Sequence, residues 1–216
     1  MEKWPIVTFM LIFINLAVFL FTYDISTNQV FYSVVEDFGL VPQSLSLRIY
    51  TLITHMFLHA DIIHFIGNML MLSIVGIATE HRIGSLEFLL FYLFSGLCVI
   101  PFAFLMEYIL AESFILIGAS GAIFGVMFLA GAIAGWEEVP AILIPILNIL
   151  AIPYIMFSLK NFKVPLFVAI VFYFLLNLLL MFYNLPYSIS EVAHFGGIFG
   201  GIVAFSMIPS KEEKKD

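Results

Sequence analysis

The sequence predicts an all-α membrane protein: six transmembrane helices in one bundle, with a long membrane-associated external loop after the first span. Three observations carry this. Hydrophobic residues fill 63% of the 216 positions and charged residues 11%, against about 45–50% and about 25% in soluble domains. Apolar runs near the length of about 20 residues that a helix needs to cross a bilayer recur along the chain. The single cysteine, Cys98, has no intrachain partner, so disulfides do not shape the fold. In lipid, backbone polar groups must bond within their own segment, which favours helices. The net charge of −7 does not point to nucleic acid, because the charges fall in connections and tails.

The elements follow in order. Residues 4–23, "WPIVTFMLIFINLAVFLFTY", exceed a signal-peptide core and lack a small-residue cleavage site, so they read as a retained span. About 38 residues then precede the second span, far more than a plain helix connection needs. They are too apolar for a solvated linker and are expected to lie on the outer leaflet. Further spans are predicted over 62–79, 86–106, 118–135, 163–183 and 192–208. Glu80 and Arg82 read as an interfacial cap and a topology charge. Residues 209–216 form a cytoplasmic tail. Neither an internal repeat nor a second domain is evident, so residues 1–216 read as one domain.

A seventh apolar run, 139–159, carries Pro140, Pro145 and Pro153, which suit a regular helix poorly. Charge placement decides its role. If it does not cross and the N-terminus is cytoplasmic, Lys3, Arg82, Lys160, Lys163, Lys211, Lys214 and Lys215 lie inside and Arg48 alone lies outside. If it crosses, five of those lysines move out. The positive-inside rule prefers the first arrangement, which makes 139–159 an interfacial or re-entrant element on the cytoplasmic side.

Polar residues at membrane depth are costly and mark function by default. Here they are His64 and Asn68 opening the second span, Ser120 opening the fourth and His194 opening the sixth. Just before the second span come His55 and His59, for which structural hydrogen bonding is the better reading. With six spans, the second, fourth and sixth run the same way, so these four side chains share one depth below the outer face. Gly121 and Gly125 on the fourth span, and Gly196, Gly197, Gly200 and Gly201 on the sixth, allow close helix approach. A neutral His194 can then take the proton of Ser120 for attack on a carbonyl. His64 and Asn68, one turn apart on one helix face, and free N–H groups at the helix start near Ser120 can meet the oxyanion. Glu191 reads as a solvated loop charge.

These motifs resemble those of the rhomboid intramembrane serine proteases. His55, His59, His64 and Asn68 match that family's second-span spacing. Gly118 to Gly121 match its Gly-x-Ser-Gly; Ala193, His194, Gly197 and Gly201 match its sixth span; Glu80 and Gly84 match the Glu-x-x-x-Gly that follows the second. The resemblance implies a minimal six-span core with a Ser120–His194 dyad and an oxyanion hole of His64, Asn68 and the Ser120 backbone. It implies no cofactor and no metal. Substrates would be transmembrane proteins cut near their outer ends, within the lipid bilayer. By analogy the location is a prokaryotic plasma membrane, with both termini cytoplasmic and the site opening outward. Phe124 stands where some relatives stack a tyrosine on the histidine, and Arg48 and Tyr50 are the nearest matches to a Trp-Arg pair of the external loop. Two other readings are an idle member of that fold that escorts helices and a metal site built on the histidines. A transporter ranks below both, for want of an inverted repeat.

Overall fold

A computed structural model describes residues 4–134, 138–140, 163–165 and 189–207, together with helical positions 168, 171 and 175. The chain is mostly helical. Helix α1 (Ile6–Thr22) buries Val7, Leu11, Asn15 and Phe19, a stripe at four-residue spacing. Its other face exposes Ile6, Phe9, Phe13 and Leu20. A helix that is greasy on its outward face belongs in lipid.

Between α1 and the second long helix the chain is structured. Strands β1 (Tyr23–Asp24) and β2 (Gln29–Val30) form an antiparallel hairpin. Helix α2 (Tyr32–Phe38) follows. Its last carbonyls are held from outside, Glu36 by Arg48 and Phe38 by Thr54 at 2.7 Å, and Arg48 also pairs with Asp37. The short helix α3 (Thr51–Thr54) runs into a 3₁₀ turn at His55–Phe57.

Two of the described helices, α4 (Ile62–Ile83) and α5 (Ser85–Leu110), are long and apolar enough to cross a membrane. Only 33% of the apolar window of α4 is buried, and 39% of that of α5, so neither is the core helix of a soluble domain. Helix α4 widens into a π turn at Leu72–Gly76. At that level α1 packs so closely that a Cβ on Gly76 would lie 3.0 Å from the Thr8 side chain. Helix α5 is interrupted at Cys98, because Pro101 has no N–H for the Leu97 carbonyl.

Helix α6 (Ser120–Ala134) is the centre of the bundle, with every residue from Gly121 to Met127 buried. Helix α7 (Ile189–Ser206) lies against it. A Cβ on Gly197 would fall on the Gly121 carbonyl, and one on Gly201 would lie 2.8 Å from the Gly125 carbonyl. The two backbones therefore touch, which only side-chain-free positions permit. With the apolar faces of α1, α4 and α5 turned outward, the protein is an integral membrane protein.

Several boundaries differ from the sequence reading. Helix α4 continues to Ile83 and α5 to Leu110. Helix α6 starts at Ser120, with residues 118 and 119 outside it, and α7 starts at Ile189. The predicted span 163–183 does not begin as a helix: strand β3 (Glu138–Pro140) pairs antiparallel with β4 (Lys163–Pro165), Pro140 facing Lys163. Within the rest of 163–183 the described positions 168, 171 and 175 are helical; its other residues, most of 139–159 and the tail 209–216 lie outside the described residues.

Candidate active site

The site is assembled at the starts of α4, α6 and α7. Ser120 is the first residue of α6. The Ile123 amide bonds to the Ala119 carbonyl at 3.0 Å, so the N–H groups of Ser120, Gly121 and Ala122 precede the helix's own ladder. Gly118 makes the turn into the helix at φ +124, a conformation that a side chain rarely adopts. The stretch before it is tied on both sides. Leu116 exchanges backbone hydrogen bonds with Leu40 at 2.8 and 2.9 Å, and the Gly118 amide donates to the His55 carbonyl at 2.8 Å.

Across the α6–α7 contact, His194 Nε2 lies 2.9 Å from Ser120 Oγ. The Phe124 ring lies against the imidazole, with centroids 4.1 Å apart and planes 9° from parallel. Phe124 is one turn along the same helix face as Ser120, so one element presents the hydroxyl and braces its partner.

His64 approaches from α4. A Cβ on Gly118 would sit 2.9 Å from His64 Cε1, 3.0 Å from its Nε2 and 3.7 Å from Ser120 Oγ. The imidazole edge and the hydroxyl thus flank one small space, kept open because residue 118 is glycine. Asn68 is buried and donates from Nδ2 to the His64 carbonyl at 2.8 Å. That commits one of the two amide hydrogens. A small cavity beside Ser120 is lined by Met56, Gly96, Val99, Leu116, Gly118 and Ala193.

His55 and His59 support the site from outside the spans. His55 Nδ1 bonds to the Thr51 carbonyl at 2.7 Å, while its own carbonyl holds Gly118. His59 is buried and packs edge-on to His64 and Phe65. Burial pushes His55 down to about 4; burial and then the neighbouring His64 ring push His59 down to about 3. Both are neutral at physiological pH. Among the described residues no three metal-ligating side chains gather. The Glu191 side chain lies outside the described residues.

Sequence reasoning missed three features. The Leu40–Leu116 bridge is a lone pairing without periodicity. Asp61 caps α4, accepting from Ile63 and His64; the signal was an aspartate just before the span. Glu80 is more than an interfacial cap: it is 3% exposed and binds the start of α1. Arg82, by contrast, is exposed.

Fold and site together define a helical membrane protein that holds a serine–histidine pair between two closely packed helices. The chain belongs to the rhomboid family: the family model for the Rhomboid domain matches residues 46–210. It is similar to three proteins of Arabidopsis thaliana. Identity to RHOMBOID-like protein 7 is 28% over 156 residues, covering 72% of this chain and 42% of that protein. Identity to RHOMBOID-like protein 2 is 46% over 74 residues, 34% of this chain and 22% of that one. For RHOMBOID-like protein 6, mitochondrial, it is 35% over 103 residues, 47% and 32% of the two chains. The chain thus spans less than half the length of these curated relatives.

Proposed function

We propose that the protein is an intramembrane serine endopeptidase that cuts peptide bonds in or near transmembrane segments of other membrane proteins. The observation that carries this reading is the 2.9 Å contact between Ser120 Oγ and His194 Nε2, made between helices whose glycines bring their backbones together. His194 accepts the hydroxyl proton as the Ser120 oxygen attacks the carbonyl carbon, and returns it to the leaving amine. A water, deprotonated by His194, then releases the acyl group. His64, Asn68 and the N–H of Ser120 are the donors for the oxyanion. Phe124 holds the imidazole plane during both transfers. The reading uses no metal and no cofactor.

The six-span topology belongs to the same proposal. Strand pairing sets Pro140 beside Lys163, so the chain leaves and returns at one level, as a segment without a net crossing must. Both termini are then cytoplasmic and the site opens to the outer face, where the residues between α1 and α4 meet the outer leaflet. A small substrate side chain is proposed to enter the cavity beside Ser120, whose walls include Met56, Gly96, Val99, Leu116, Gly118 and Ala193. A prokaryotic plasma membrane remains the proposed location.

The test is fluorophosphonate labelling of the protein in detergent. Wild type should form an adduct at Ser120; Ser120→Ala and His194→Ala should form none while melting at wild-type temperature. Labelling of folded His194→Ala at the wild-type rate would remove the dyad. A folded wild type that neither labels nor cleaves a membrane-embedded substrate would instead favour an idle rhomboid fold that binds helices.

A further inference from the structure

We propose that Asp61 and the backbone amide of Ala60 are positioning elements of the site, holding the His64 ring in the tautomer whose proton sits on Nε2. The proposal rests on the reading of His64 as an oxyanion donor, and adds to it the groups that decide whether His64 can donate at all.

Asp61 stands before α4 in an extended conformation, φ −151 and ψ 176, and its Oδ1 accepts from the amides of Ile63 and His64, each at 2.8 Å. One oxygen thus fixes the first turn of the helix, including the backbone of His64 itself. The preceding residue is fixed as well, since the Ala60 carbonyl accepts the Val30 amide at 2.9 Å. Between these two anchored points, the Ala60 amide meets His64 Nδ1 at 3.4 Å.

A backbone N–H can only donate, so Nδ1 is the acceptor. In a neutral imidazole the proton is then on the other nitrogen. That nitrogen faces the space beside Gly118, 3.0 Å from where a Cβ would stand, with Ser120 Oγ on the far side of the same point. The tautomer determines the sign of the interaction there. With hydrogen on Nε2 the ring donates to a developing negative oxygen; with hydrogen on Nδ1 it would present a lone pair and repel it. The His59 ring, edge-on at 5.2 Å, limits rotation of His64 that could otherwise exchange the two nitrogens. Asp61 and Ala60 bond to the backbone and ring of His64, so they act through it.

The test reads the tautomer directly. The full chain, labelled with ¹⁵N-histidine and held in detergent above the titration range of its imidazoles, gives distinct signals for protonated and bare ring nitrogens; His64→Gln identifies those of residue 64. Wild type should show His64 protonated on Nε2. Asp61→Ala, which frees the first turn, should give a mixture of tautomers. A ring left nine-tenths in the wrong form lowers the competent fraction about tenfold, so kcat should fall by about that factor with KM within twofold. Asp61→Asn and Asp61→Ser keep an acceptor at the cap and should restore both readouts. His64 protonated on Nδ1 in wild type would overturn the proposal, as would a drop in kcat for Asp61→Ala with the tautomer unchanged. The wild-type spectrum and Asp61→Asn decide the matter even where Asp61→Ala does not fold. Because the tautomer is read without turnover, an inactive protein with His64 protonated on Nε2 would count against the protease reading and leave the assignment standing.

Discussion

Glu80→Gln should destabilise the bundle by roughly 3–5 kcal/mol, although it keeps the shape of the side chain. Helix α1 begins after Pro5 without a capping side chain of its own, and Glu80 supplies the cap from a remote helix. Its Oε1 accepts from the Val7 amide at 3.0 Å and the Ser85 hydroxyl at 2.6 Å. Its Oε2 accepts from the Thr8 amide and the Thr8 hydroxyl, both at 2.8 Å. Glutamine replaces one of these oxygens with NH₂. Whichever way the amide turns, a backbone N–H of residue 7 or 8 then faces another donor. The hydroxyls can rotate to accept; the backbone cannot. The loss is one hydrogen bond to a charged acceptor, about 1.5–3 kcal/mol, together with a stranded buried donor, about 1–3 kcal/mol. Against a total stability of about 5–15 kcal/mol, that is a large fraction. Reversible unfolding of wild type and variant in mixed micelles measures it. A difference below about 1 kcal/mol would refute the claim that the carboxylate, and not its volume, joins α1 to α4.

Three further outcomes are expected. Gly197→Ala would place a methyl group on the Gly121 carbonyl, so α6 and α7 must part at a cost of about 1–3 kcal/mol; fluorophosphonate labelling should be lost, and a wild-type labelling rate would show the helices need not touch. Phe124→Leu keeps the residue apolar but removes a stacking contact worth about 0.5–1.5 kcal/mol, so steady-state cleavage should show kcat reduced about 2–10-fold and KM little changed. The two supporting histidines make stability depend on pH. Their folded-state values of about 4 and about 3 lie below the ordinary 6.5, so below 6.5 the unfolded chain binds protons that the folded one refuses. Stability should therefore be full above 6.5 and fall as pH drops toward 4, by up to about 1.4 kcal/mol per pH unit per histidine. Melting temperatures across that range, compared with His55→Gln, check the sign and the size.

Composition alone determined that this protein lives in lipid, because the chain has too much apolar surface and too few charges to be covered by water. Glycine spacing on residues 121–125 and 197–201 pointed to close helix contact, since the period of a helix is short-range and readable. The same holds for Ser120, His64 and His194, conspicuous as polar groups in apolar runs. The tertiary structure decided what no local pattern encodes. Only the packed bundle shows that Leu40 and the His55 carbonyl hold the turn before Ser120, and that Glu80 caps a helix more than 70 residues away in sequence. The strand pair that displaces the start of the predicted 163–183 span was likewise hidden, because three-residue strands ending at prolines leave no period to detect. Periodicity reports which face of an element meets lipid or protein. Partners distant in sequence are chosen by how whole helices pack, and that choice is made only in three dimensions.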